Sequence, residues 1–325
     1  MSYLATFSDA LLVPFLSVVD PEKRVFWPFL AASLFLALFV AVRERRGRSA
    51  RDLITYLFPT KILFHASALL DYRLLFVKAL LRVVLIAPWA MSAFGLSVWW
   101  VGILNKTFGM MPPVTMSKAS IMVIYTITLF VGWDLSRYLL HRFLHTIPFL
   151  WEFHKVHHSA EVLTPFTLYR SHPVESILYA LRGILVIGAV TGTFFYVFKT
   201  QTIQYEVLSV NVLGFFFNLT GGNLRHSHVW LSYGHKFEHL FISPAQHQVH
   251  HSLEEKHFNK NYGTWLAVWD WLAGSLYVTR LNEGLRFGLS EAELNHDPHS
   301  VASILFAPLW AGIRRLWRKK ETANV

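Results

Sequence analysis

Cysteine is absent from all 325 residues. That excludes disulfides, a thiolate-ligated haem, cysteinyl iron–sulfur clusters and a cysteine nucleophile. It also removes the disulfide clue to compartment. Charge is scarce: Asp, Glu, Lys and Arg make up 15% of the chain, against 54% hydrophobic residues. That balance is too apolar for an ordinary soluble domain. Acidic residues are the scarcer sign, 20 against 30 Lys and Arg, for a net charge of +10. No nucleic-acid motif accompanies the basic excess, so it is read as Lys and Arg beside anionic lipid on the cytoplasmic side, with no nucleic-acid partner. No G-x-G-x-x-G loop and no cytochrome-like segment is found. The metalloprotease pattern H-E-x-x-H is missing, as are helical-repeat periods. The first residues lack the layout of a cleaved signal peptide.

What the chain has is long apolar runs. Phe26 to Val42 reads as a first span, closed by Arg43, Arg45, Arg46, Arg48 and Arg51, which mark that end as cytoplasmic. Leu53 to Tyr72 mixes apolar and polar residues and reads as interfacial or re-entrant. Leu74 to Leu104, with Pro88 in the middle, is one kinked span or a short hairpin. Ala119 to Leu140 is a full span. Ser176 to Phe198 and Tyr205 to Leu219 read as a second pair of spans around a short loop at 199–204. Ile304 to Trp317, followed by Arg318, Lys319 and Lys320, is too short to span. It reads as a basic amphipathic helix lying on the cytoplasmic leaflet or packing on the protein. The fold expected is all-α: a multi-span transmembrane helical protein with a cytoplasmic histidine-rich helical cap. Three regions follow: N-terminal spans and a basic segment at 1–118, a catalytic region at 119–280, and a tail at 281–325.

Histidine is the other abundance, 17 residues. The pattern H-x-x-H-H occurs at His154, His157 and His158 and again at His247, His250 and His251, with His141 and His145 ending the Ala119 span. At roughly one His in twenty, a given three-His pattern arises by chance at about one position in ten thousand. Imidazole favours iron, zinc and copper, and positions i, i+3 and i+4 share a helix face. The break at Pro148 lets a second helix turn back. The later spans return His226, His228 and the last cluster to the same side. Ten candidate ligands result: His141, His145, His154, His157, His158, His226, His228, His247, His250 and His251. One zinc uses three or four, so the surplus points to two metals. His65, His235, His239, His257, His296 and His299 read as ordinary polar or surface groups, and His172 stays open as a ligand. Asp134, Glu175 and Asp270 are candidate acceptors for ligand N–H groups.

These residues, with Asp134, Arg170-Ser171-His172-Pro173, Asn261-Tyr262-Gly263 and Trp269-Asp270, resemble the integral-membrane fatty acid hydroxylase and sterol desaturase superfamily from Trp133 to Tyr277. His228 stands where that family often has Asn, and Ala273 where it often has Phe. The segment Asn282 to Leu289 resembles alkylglycerol monooxygenase-like members. The resemblance implies two iron ions, O2 as co-substrate and attack on a lipid C–H bond. It carries the ligand role to the eight clustered histidines, His141, His145, His154, His157, His158, His247, His250 and His251, which are then the catalytic set. The expected activity is a membrane oxygenase hydroxylating a fatty acyl chain, sterol, ether lipid or amino-acid lipid. A lipid desaturase on the same centre, a membrane zinc hydrolase and a metal transporter are the alternatives. Zinc could fill such a site on purification, because it outcompetes Fe(II). Electrons would come from a separate donor protein docking on the basic face.

Overall fold

The structure is a computed structural model, and it describes residues 12–46, 49–85, 92–199, 206–207, 210–280, 283–294 and 297–323. Arg48, Pro88, the loop residues 200–204, Asn282 and His296 lie outside the described residues. In chain order the helices are α1 Trp27–Arg43, α2 Ala50–Leu57, α3 Thr60–Leu63, α4 Ala66–Leu85, α5 Ser92–Phe108, α6 Lys118–Thr146 and α7 Pro148–His158. They continue as α8 Pro173–Phe198, α9 Val212–Leu219, α10 Pro244–His250, α11 Val268–Leu272 and α12 Val301–Ala323. A two-residue hairpin, Glu206–Val207 with Val210–Asn211, is the one sheet among the described residues.

Two described helices are long and apolar enough to cross a membrane, α6 and α8, and a third span results if the bent pair 50–63 and 66–81 is one element. α6 has 29 residues, about 43 Å at 1.5 Å per residue, more than the ~30 Å hydrocarbon core requires. The Ser117 hydroxyl caps its start by accepting from the Ser120 N–H at 3.1 Å, and Val123, Ile124 and Ile127 are exposed along it. On a span such a face meets lipid rather than water. α8 begins with Pro173 in its first turn, where a missing N–H costs nothing. Its Gly188 and Gly192, four apart, let α5 approach closely: a Cβ on Gly192 would stand 2.8 Å from the Ser97 carbonyl oxygen.

One expectation changes, and two open readings are resolved. Tyr205–Leu219 is not a span. Its described part is the short hairpin and the eight-residue α9, about 12 Å long. Asn211 is the reason: its side chain accepts from the Leu213 N–H and donates to the Thr126 carbonyl, so a new helix starts there. Such broken backbone is tolerated at membrane depth only where protein covers it, and Phe217 and Trp265 stack with Phe130 of α6. The Leu74 run resolves into two helices, α4 and α5. The 77° bend before α4 accounts for the mixed Leu53–Tyr72 stretch. The last helix, α12, does pack on the protein. Ile304 is fully buried with Leu70, Leu74 and Val156, worth about 1.5–3 kcal/mol for such a side chain. Its opposite face leaves Phe306, Trp310 and Trp317 exposed.

Candidate metal centre

α6 ends at Thr146 and α7 starts at once with Pro148 in its first turn. The chain doubles back, and the last turns of α6 face α7. The capping box Ser243–Gln246 starts α10 beside them. The crossing of α7 and α10 then sorts the histidines. In α7, His154 and His158 are four apart and share a face, while His157 lies to the side. In α10 the pair is His247 and His251, with His250 to the side. Each helix gives its pair to one group and its odd histidine to the other. His141, His145, His154, His158 and His250 form one group; His157, His226, His247 and His251 form the second, the candidate ligand atoms of each lying within 4.8 Å of one another. The groups adjoin, with the rings of His158 and His251 stacked at 4.5 Å.

Nine of the ten expected histidines are thus brought together. His228 is not: its Nε2 lies 2.6 Å from the Tyr56 carbonyl oxygen, on the other side of the loop from His226. On an extended segment residues i and i+2 point the same way; His226 and His228 part because the chain bends at 226–228, where the Ser227 hydroxyl donates to the Leu224 carbonyl. His172 also lies outside both groups. It caps α8 through Nδ1, which accepts from the Val174 N–H, and its Nε2 donates to the Leu305 carbonyl. His65, His235, His239, His257 and His299 lie outside both groups.

The donor chemistry fits cations. His141 Nδ1 donates to the Tyr262 carbonyl at 2.7 Å, His157 Nδ1 to that of Arg170 at 3.1 Å, and His250 Nδ1 to that of Lys260 at 2.8 Å. A ring that donates through Nδ1 presents a lone pair at Nε2. His141 Nε2 meets His154 Nε2 at 3.1 Å, and His226 Nε2 meets those of His247 and His251 at 3.0 and 3.2 Å. Converging lone pairs repel unless a cation sits among them. His145, His158 and His250 each bury an Nε2 that has no protein partner, as ligands would. Burial pushes His157 down to about 4 and His250 down to about 3. His158, His226, His247 and His251 are pushed down chiefly by burial and then by their neighbours. These six rings are therefore neutral near pH 7, the form that binds metal.

The supporting shell corrects the expected roles of the carboxylates. Glu175 does meet one of the grouped rings, its Oε2 lying 3.2 Å from His154 Nδ1. Asp270 and Asp134 touch no histidine but hold backbone. Asp270 accepts from the N–H groups of Tyr262 and Gly263 and from the Ser275 hydroxyl. This fixes the loop whose Lys260 and Tyr262 carbonyls orient His250 and His141. Asn259 and Asn261 sit there at φ 59° and 56°, a region Asn tolerates. Asp134 accepts from the Trp265 and Leu266 N–H groups and the Trp269 indole. Asp71 was not foreseen. It binds the fully buried Arg170 at 2.6 Å and the Thr167 hydroxyl at 2.8 Å, and so sets the carbonyl that takes His157. Its one sequence signal is an acid in an apolar run.

A cavity of about 370 Å³ opens beside the first group, walled by His145, His158 and His250 with Trp151, Leu253 and Phe258. The Trp151 indole donates to Glu293 at its rim.

The model of the fatty acid hydroxylase family matches residues 126–275. Alkylglycerol monooxygenase of Danio rerio is 26% identical over 195 residues, 60% of this chain and 39% of that protein. Delta(7)-sterol 5(6)-desaturase of Eremothecium gossypii is 33% identical over 147 residues, 44% of this chain and 34% of that protein. Ornithine lipid hydroxylase of Rhizobium tropici is 28% identical over 147 residues, 44% of this chain and 39% of that protein. The chain thus spans well under half the length of these relatives. No solved structure matches.

Proposed function

From the fatty acid hydroxylase domain that this membrane-helix protein carries at residues 126–275, we propose an O2-dependent hydroxylase of a membrane lipid. The observation that carries the reading is the division of nine histidines into two adjoining groups beside one cavity. Two iron ions would be held by the five and the four histidines, and would supply reductive activation of O2 against an unactivated C–H bond.

The chain's own residues do the rest. The carbonyls of Tyr262, Arg170 and Lys260 and the Glu175 carboxylate aim the rings, as outer partners of metal ligands do. Burial keeps His157, His158, His226, His247, His250 and His251 neutral. Trp151, Leu253 and Phe258 give the cavity an apolar wall against which a methylene can lie. His141 and His145 stand in the last turns of α6, so a lipid would approach the site from the bilayer end of that helix. Arg43, Arg45, Arg46 and Arg51 support a cytoplasmic site. Electrons then come from a separate donor protein on that side.

The test is reconstitution with iron, a reductase system, candidate lipids and 18O2. The relatives' names suggest an ether lipid, a sterol and an amino-acid lipid as the first three substrates to try. One 18O atom in the product is the expected result. An unlabelled unsaturated product replaces hydroxylation by desaturation on the same centre. Turnover without O2 discards both.

A further inference from the structure

A second cavity, about 590 Å³, lies between α4, α5, α6 and α8 and contains none of the grouped histidines. Arg137 on its wall is one turn before His141 on α6, and Tyr179 is one turn after Glu175 on α8. The cavity therefore sits about 5.4 Å, one helical turn, to the bilayer side of the histidine layer. Arg137 lies 19 residues into α6, about 28 Å from its start at 1.5 Å per residue, the depth of an interface rather than of the hydrocarbon middle.

Its charged lining is cationic: Lys23, Lys78, Arg137 and Arg182, with no Asp or Glu among the described residues that line it. Lys23 pairs with Asp20 outside the cavity. The other three are met by neutral groups. Lys78 donates to the Ser171 hydroxyl. Arg137 donates to the Thr264 hydroxyl at 3.2 Å and lies 4.9 Å over the Tyr179 ring. Arg182 donates to the Trp133 carbonyl and the Ser136 hydroxyl and stacks 4.0 Å over the Trp133 ring. Arg182 is 8% exposed, and its Nε is buried with no partner. The carboxylates that sense these cations, Glu175 and Asp134, are occupied by His154 and by three N–H groups. Two committed carboxylates against three cations leave positive charge in excess. For Arg182, the buried one of the three, the lack of a counter-charge is costly. Leu75, Ala79, Leu81, Ala93, Ile184 and Ile187 form an apolar wall, with the hydroxyls of Ser17 and Ser176 as further neutral polar groups.

We infer that this cavity binds the headgroup of an anionic lipid, a phosphate or carboxylate held by Lys78, Arg137 and Arg182, with the start of its chain against Ala79, Ala93 and Ile187. A planar guanidinium suits either anion. The apolar wall on bilayer-crossing helices distinguishes a lipid from a free ion. The assignment concerns binding and stands whether or not the metal site hydroxylates.

The experiment is native mass spectrometry of the full chain in a neutral detergent. The probes are dioleoyl phosphatidic acid, oleate, dioleoyl phosphatidylcholine and inorganic phosphate. One phosphatidic acid or one oleate should bind at least about tenfold more tightly than phosphatidylcholine, a difference of about 1.4 kcal/mol. Lys78→Gln and Arg182→Gln should each remove that preference, Arg182→Lys should retain most of it, and Lys106→Gln, outside the cavity, should leave it unchanged. Thermal unfolding of each variant checks the fold. If Arg182→Gln does not fold, Lys78→Gln decides, since its Nζ holds only a hydroxyl. Equal binding of phosphatidylcholine, saturation by inorganic phosphate alone, or an unaltered preference in Lys78→Gln overturns the inference.

Discussion

Replacing Glu175 by Ala should weaken metal binding at the first histidine group without removing any ligand. Glu175 is buried, and its Oε2 is the one carboxylate oxygen within 4.0 Å of a grouped histidine among the described residues. The contact is an ion-pair distance of 3.2 Å rather than an aligned hydrogen bond, and without it no carboxylate oxygen of the described residues lies within 4.0 Å of that buried Nδ1. An unmet buried donor costs about 1–3 kcal/mol, and every 1.4 kcal/mol is tenfold in affinity. The expected loss is therefore about 5- to 150-fold, the range in which outer partners of metal ligands generally act. Glu175→Gln keeps an oxygen acceptor and loses only the charge, so it should fall at the lower end. The assay is metal content of purified protein dialysed against graded free Fe(II) or Zn(II), with circular dichroism confirming helix content. Glu175 also lies near Lys78, so thermal unfolding must be followed separately to keep lost fold apart from lost affinity. Native affinity in a folded Glu175→Ala protein would refute the claim that this contact sets the His154 ring.

Asp71→Ala leaves the fully buried Arg170 without its counter-ion, and breaking such a pair costs about 3–5 kcal/mol. A lowered unfolding midpoint in detergent is expected, and an unchanged one would count against the pair. His226→Ala should reduce bound metal while His228→Ala, two residues on, should not, because His228 faces Tyr56; equal losses on metal analysis would place both in the site. Burial lowers the His172 pKa, so the unfolded chain, near 6.5, takes up the proton first. Its stabilisation is present above about pH 6.5 and is lost as pH falls, since a proton on Nδ1 breaks the bond from the Val174 N–H. His172→Asn should flatten the slope of unfolding midpoint against pH between pH 7 and 5. An unaltered slope would show that the cap does not titrate.

Several features of this protein were legible in the residues alone because they depend on composition and local period. Apolar runs at Ala119 and Ser176 are long enough to dictate helices of span length wherever they lie. The repeated H-x-x-H-H pattern dictates that ring nitrogens cluster, because helical rotation places i and i+4 together. Pro148 and Pro173 dictate helix starts. What tertiary structure alone decided concerns partners far apart in the chain. No local rule says that His157 leaves its neighbours for His226, His247 and His251, since that depends on how α7 and α10 cross. Asp71 becomes a partner of Arg170 only because α4 packs beside residues 165–169. Asp134 and Asp270 look alike in sequence to Glu175, yet they hold backbone rather than a ring because loop 260–266 folds between them and the histidines. Tyr205–Leu219 was apolar enough to read as a span, but Asn211 finds a helix cap and a carbonyl across the bundle. Hydrophobicity measures transfer to lipid and is blind to such a partner, so only packing could break that run.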